Sequence, residues 1–138
     1  MQIEIQITNE PIAGKIPPLA SGAAGAWVEF RGVVRGEENG QPIAALEYEA
    51  YPEMAEREIR RLLETLAAKH SCLAAQVIHR VGMIPVGETA IYVGLAGRHR
   101  AEAIALLAGF MDRLKQDVPI WKRRGLPANL VGDDVRSL

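Results

Sequence analysis

Between Pro52 and Ala67 the apolar residues Ala55, Ile59, Leu62, Leu63, Leu66 and Ala67 fall at i, i+4, i+7, i+8, i+11 and i+12, with Glu56, Arg57, Arg60, Arg61 and Glu64 between them. That spacing gathers the apolar side chains into one stripe along a helix and turns the charges to the opposite face. Proline is tolerated in a helix's first turn, so Pro52 marks the start. A one-sided helix gains most of its stability by packing against another apolar surface, and the flanking sequence supplies strands for it.

Ile3, Ile5 and Ile7 alternate with Glu4 and Gln6, the period of a half-buried strand over 2–8. Residues 9–25 carry Pro11, Pro17 and Pro18 among Gly and Ser, and read as an irregular connection with one short helix before Ser21. Strands are expected at Ala26–Val34 and Pro42–Ala50, joined by the polar segment Arg35–Gln41, in which Asn39-Gly40 suits a tight hairpin. After the helix, 73–82 and 87–96 read as two strands joined at Gly82–Gly87. A second helix is expected from about His99 to Asp117, with Ile104, Leu107, Met111, Leu114 and Val118 on its buried face and Pro119 as its stop. From Gly125 the chain is rich in Gly, Pro, Asn and Asp, so a single domain over 1–124 and an irregular tail over 125–138 are expected. The order β-β-β-α-β-β-α with short turns makes an α+β domain.

A chain of 138 residues, 49% hydrophobic and 24% charged, fits one folded domain. No apolar run approaches the roughly 20 residues that span a bilayer. The start, MQIEIQITNE, has neither the basic residues nor the apolar block of a secretory signal, so the cytoplasm is the expected compartment, with no membrane partner. The single cysteine, Cys72, leaves no internal disulfide and no metal cluster, and it reads as a buried structural thiol. Net charge is −1 but uneven, with 8 basic and 12 acidic residues over Met1–Gly97 against 7 basic and 3 acidic over Arg98–Arg124. The second stretch could hold an anion. It is too short and too mixed for nucleic acid, and the strands lack aromatic platforms for stacked bases.

No G-x-S-x-G, phosphate-binding P-loop or H-E-x-x-H motif is present. What remains is cationic. Arg35 ends a strand at a turn, and His99 and Arg100 sit where a strand gives way to a helix. Free N–H groups at a helix start add to such side-chain charge, which favours an anion there. Lys115 lies in the last turns of the second helix and Lys122 just past its proline stop, beside Ile120 and Trp121, a bulky apolar pair that would anchor the turn. A lysine held in a partly apolar cleft can act as a nucleophile, although a lone lysine is more often a solvated surface charge, and one near a helix C-terminus already gains from the helix dipole. The helix stop could fold the chain back and bring both amines to one cleft. Arg100 and Lys115 are 15 helical positions apart, roughly 22 Å along the axis, too far for two side chains to share one small ligand. If both serve one site they come from different subunits, which predicts a homodimer with composite sites.

The segment Gly25-Ala-Trp-Val-Glu-Phe-Arg-Gly-Val-Val-Arg35 resembles a family pattern G-A-x-x-x-F-x-G-x-V-R. Leu46-Glu-Tyr-Glu-Ala-Tyr51 with Met54-Ala55, then His79-Arg80-x-Gly82, Val86-Gly87-Glu88, His99-Arg100 and Leu114-Lys115-x-x-Val118-Pro-Ile-Trp-Lys122 are similar to the same family's later motifs in the same order. Each is weak alone, and the ordered set over about 1–124 is specific. By it the chain resembles the large, catalytic subunit of bacterial molybdopterin synthases. The resemblance implies an α/β hammerhead with an additional antiparallel β-sheet subdomain. It also implies a sulfurtransferase of molybdenum cofactor biosynthesis, which passes sulfur from the C-terminal thiocarboxylate of a small ubiquitin-like carrier subunit to cyclic pyranopterin monophosphate. Two carriers would flank a homodimer of this chain in a heterotetramer. The family's two essential lysines match Lys115 and Lys122, its substrate-anion residues match Arg35, His99 and Arg100, and Phe30 and Met111 match positions lining the site. The implied step needs no metal or cofactor. Two features depart from the family: Arg124 stands where a glutamate is usual, and Gly125–Leu138 lacks the usual tryptophan. The alternative is a non-catalytic paralogue that still binds a ubiquitin-like partner.

Overall fold

The computed structural model describes residues 1–12 and 22–128. The elements run β1 (Gln2–Thr8), β2 (Ala26–Val33), β3 (Glu37–Glu38), β4 (Gln41–Ala50), α1 (Pro52–Ala67), β5 (Ala74–Arg80), β6 (Gly82–Pro85), β7 (Thr89–Gly97), α2 (Arg100–Asp117) and β8 (Ile120–Pro127). The short helix expected before Ser21 falls outside the described residues.

Four strands form the first sheet in the order β1-β5-β7-β2, with β1 parallel to β5 and the other pairs antiparallel. Both helices pack on one face of it. The stripe read from the sequence is the buried face of α1, since Ala55, Ile59, Leu62, Leu63 and Leu66 all enter the core. They meet Ala75 and Val77 of β5 and Ile91, Val93 and Leu95 of β7, the alternate residues that a two-residue period presents to one side. Each fully buried Leu, Ile or Phe of this cluster contributes about 1.5–3 kcal/mol relative to an exposed one.

The second sheet is built on β4, which pairs antiparallel with β6 and with β8, while β3 adds a short hairpin arm. Asn39 and Gly40 both have positive φ, 53° and 78°, as a two-residue hairpin turn requires. Val34, Ile43, Leu46, Ile84 and Ala90 form a smaller core that ties the second sheet to the ends of β2 and β7. The α+β class and the additional antiparallel sheet implied by the resemblance are thus present.

Three local expectations change. The segment read as two strands around Gly82–Gly87 is three. Gly82 and Gly87, at φ of 84° and 89°, bracket β6, which pairs with β4 of the second sheet rather than continuing β5. The buried row of α2 is Ala103, Leu106, Phe110 and Leu114, whereas Ile104 is 53% exposed and Leu107 and Met111 are only partly covered. Residues Gly125–Pro127, read as the start of an irregular tail, belong to β8. This strand is pinned to β4 by ion pairs from Arg123 to Glu49 and from Arg124 to Glu47, the latter at 3.0 Å.

Candidate functional site

A cleft of about 510 Å³ opens where the C-terminal end of α2 meets the second sheet. Helix α2 contributes Met111, Leu114 and Lys115, and the end of β2 contributes Phe30 and leads into Arg35. Pro119 stops the helix, and the Ile120 N–H donates to the Val118 carbonyl, so the chain turns directly into β8. That turn brings Lys122 to the same cleft as Lys115. Trp121 packs edge to face on Tyr51, with centroids 5.4 Å apart, and so anchors the strand next to Lys122. The expected apolar anchor is therefore an aromatic pair, Trp121 with Tyr51.

Charge in the cleft is lopsided. Arg35, Lys115 and Lys122 line it against one carboxylate, Glu38. Lys122 Nζ lies 3.3 Å from Glu38 Oε1. Arg35 and Lys115 form no ion pair among the described residues, so their charge is available to an anion. Tyr48 and His79 also line the cleft and pack ring against ring at 5.3 Å. Burial, then the Glu38 charge, pushes the Tyr48 phenol above its ordinary range, which keeps it protonated. Burial holds His79 below the usual imidazole range, opposed by its hydrogen bond to the Arg80 backbone, so its neutral form is favoured.

Of the residues singled out from the sequence, Phe30, Arg35, Met111, Lys115 and Lys122 share this cleft. His99 and Arg100 do not line it. His99 precedes the first residue of α2 as its N-cap, and both side chains are exposed at the opposite end of the helix from Lys115. Glu38, Tyr48 and His79 were not singled out as site residues. Tyr48 and His79 lie inside quoted motifs, but on strands in different sheets, and only the tertiary fold brings them together. Cys72 is buried, and burial followed by the charge of Glu102 raises its thiol above the ordinary range, as suits a structural thiol. No group of three His, Cys, Asp or Glu side chains among the described residues could hold a metal ion. No described helix is long and apolar enough to cross a membrane.

A family described as MoaE protein matches residues 7–117. The molybdopterin synthase catalytic subunit of Thermoplasma volcanium is 40% identical over 100 residues, covering 72% of this chain and 73% of the relative. The one from Brucella melitensis is 35% identical over 139 residues, covering 99% of this chain and 84% of the relative. Longer rice and human counterparts are matched over about half their length. Among solved structures, the molybdopterin synthase of Staphylococcus aureus superposes with a TM-score of 0.79 at 28% identity, covering 91% of this chain and 92% of that one.

Proposed function

The chain belongs to the MoaE protein family, whose members are molybdopterin synthase catalytic subunits, enzymes of molybdenum cofactor biosynthesis, and from that premise we propose that the cleft between α2 and β8 is its sulfur-transfer site. The observation that carries the proposal is the meeting of Lys115, Lys122 and Arg35 in one cleft, two of the three without a carboxylate partner among the described residues. Both reactants of the family's reaction are anions. Cyclic pyranopterin monophosphate carries a phosphate, and the carrier ends in a thiocarboxylate.

Arg35 gives the phosphate a charge-assisted, two-pronged donor. His99 and Arg100 from a second copy of the chain complete the phosphate cradle, since their own chain holds them roughly 22 Å along α2 from Lys115. The carrier's tail enters the cleft. Its sulfur bonds to a side-chain carbon of the pterin as that carbon's bond to oxygen breaks, the oxygen leaving as water or staying on the phosphate; water then cleaves the acyl–sulfur bond, so the sulfur stays on the pterin and the carrier leaves as carboxylate. Lys115 stabilises the negative charge that develops on the acyl oxygen, or moves a proton there. Lys122 exchanges Glu38 for the carrier's terminal carboxylate. Tyr51, 60% exposed, and Trp121, 39% exposed, leave aromatic surface beside Lys122, with Met54 also exposed, and such a patch suits a protein partner. Two carriers on a dimer of this chain make the heterotetramer, in the cytoplasm, with no resident metal or cofactor.

The test mixes the protein with a thiocarboxylated carrier and the pterin precursor and assays molybdopterin. Lys115→Ala lowers product formation by about a hundredfold or more, the scale of a lost electrostatic stabiliser, while carrier binding stays near wild type. Carrier binding without any product from the wild-type chain would instead mark a non-catalytic paralogue.

A further inference from the structure

We propose that His79 and Tyr48 form a neutral hydrogen-bonding subsite on the floor of the cleft, which reads the amide-like edge of the substrate's heterocycle while the cations hold its phosphate. This rests on the sulfur-transfer function proposed above and makes His79 and Tyr48 substrate-binding residues.

His79 is only 5% exposed, yet its ring lines the cleft. Its Nδ1 lies 2.7 Å from the Arg80 carbonyl oxygen. A carbonyl only accepts, so Nδ1 carries the proton. A neutral imidazole has one N–H, and Nε2 is therefore a bare acceptor. Burial favours the neutral ring and so supports this tautomer. No described residue donates to Nε2. An acceptor left unpaired in a nearly buried side chain costs about 1–3 kcal/mol, unless a ligand or solvent donor meets it.

Tyr48 stands beside it on β4, with its ring at 64° to the imidazole, which fixes how the two groups sit relative to each other. Its hydroxyl has no hydrogen-bond partner among the described residues. The phenol stays protonated, so it offers a donor in the cleft that His79 also lines, with the two ring centroids 5.3 Å apart. A donor and an acceptor lining one cleft, both uncharged, complement an N–H and a C=O of one heterocycle. The pterin ring has both groups. The substrate's cyclic phosphate is an ionised diester with acceptors only and leaves Nε2 unmet. A threaded peptide also carries amides, but it is typically held by main-chain hydrogen bonds along a strand edge rather than by two side chains at one point. Gly32 keeps the floor next to this pair flat, since a Cβ there would sit 2.8 Å from the Ile91 side chain.

The experiment uses the protein with its carrier and measures three affinities: for a fluorescent neutral pterin without phosphate, for inorganic phosphate, and for the carrier. His79→Phe keeps the ring and removes the acceptor. Tyr48→Phe removes only a hydroxyl and guards against a folding failure in the first variant. Each is expected to weaken pterin binding and raise KM for the precursor about tenfold, with kcat, phosphate affinity and carrier affinity little changed. Arg35→Ala should do the reverse, losing phosphate and keeping pterin. Unchanged pterin affinity in folded Tyr48→Phe overturns the subsite, as does a loss confined to carrier binding, which would assign the pair to the peptide tail. Molybdopterin formation by the wild-type chain is a separate readout. If product forms while Tyr48→Phe keeps the wild-type KM, the subsite fails and the function stands. If pterin binds in a Tyr48-dependent way and no product forms, the function fails and the subsite stands.

Discussion

The resemblance read from the sequence implies a glutamate where this chain has Arg124, and the structure gives the arginine a local account. Its guanidinium faces Glu47 across the β4–β8 pair, with Nε 3.0 Å from the carboxylate, and the two residues are direct register partners. Exposed ion pairs contribute about 0–1 kcal/mol, so Arg124→Ala should barely move the urea midpoint. Arg124→Glu sets two carboxylates opposite each other and should cost about 1 kcal/mol, recovered by adding Glu47→Lys. If the reversal leaves stability where it was, the arginine has no structural explanation. Beside it, Lys122 contributes to the cleft and Arg123 pairs with Glu49, so three consecutive cations each meet an acid from the second sheet.

The two helices differ in how far their sequences disclose them. In α1 every charged residue falls opposite the apolar stripe, so both the helix and its buried face are legible. In α2 the run Ala101–Met111 includes Ala, Ile, Leu, Gly and Phe on nearly every side, so its length and its proline stop can be read but its rotation cannot. The row that packs is Ala103, Leu106, Phe110 and Leu114. Accordingly Phe110→Ala should cost about 3–5 kcal/mol in chemical denaturation, and Ile104→Ala well under 1. Equal losses would return the buried face to Ile104. Strand β8 is not legible in the sequence because Lys122-Arg123-Arg124 breaks any apolar alternation, and its ladder partner β4 lies more than seventy residues away. The site shows the same division. Phe30, Arg35, Met111, Lys115 and Lys122, legible in the ordered motifs, share the candidate cleft, whereas the nearness of Tyr48 to His79 exists only once two sheets are packed together.

At the scale of the whole molecule, one chain holds half of the proposed phosphate cradle. His99 and Arg100 lie at the far end of α2, so the proposed cradle takes them from a second copy. Mixing Arg100→Ala and Lys115→Ala chains, each inactive alone, should restore about a quarter of wild-type activity. About half of the dimers are then mixed, and each mixed dimer regains one of its two sites. No recovery, with mixed dimers shown to form, would place both residues' roles within a single subunit. The sealed environment of Cys72 carries a further consequence. A dithiolene needs two sulfurs, and this chain's one thiol is shut inside the core with its ionisation suppressed. On the proposed function it offers no depot in which to park a sulfur between deliveries, which leaves each atom to arrive on its own courier.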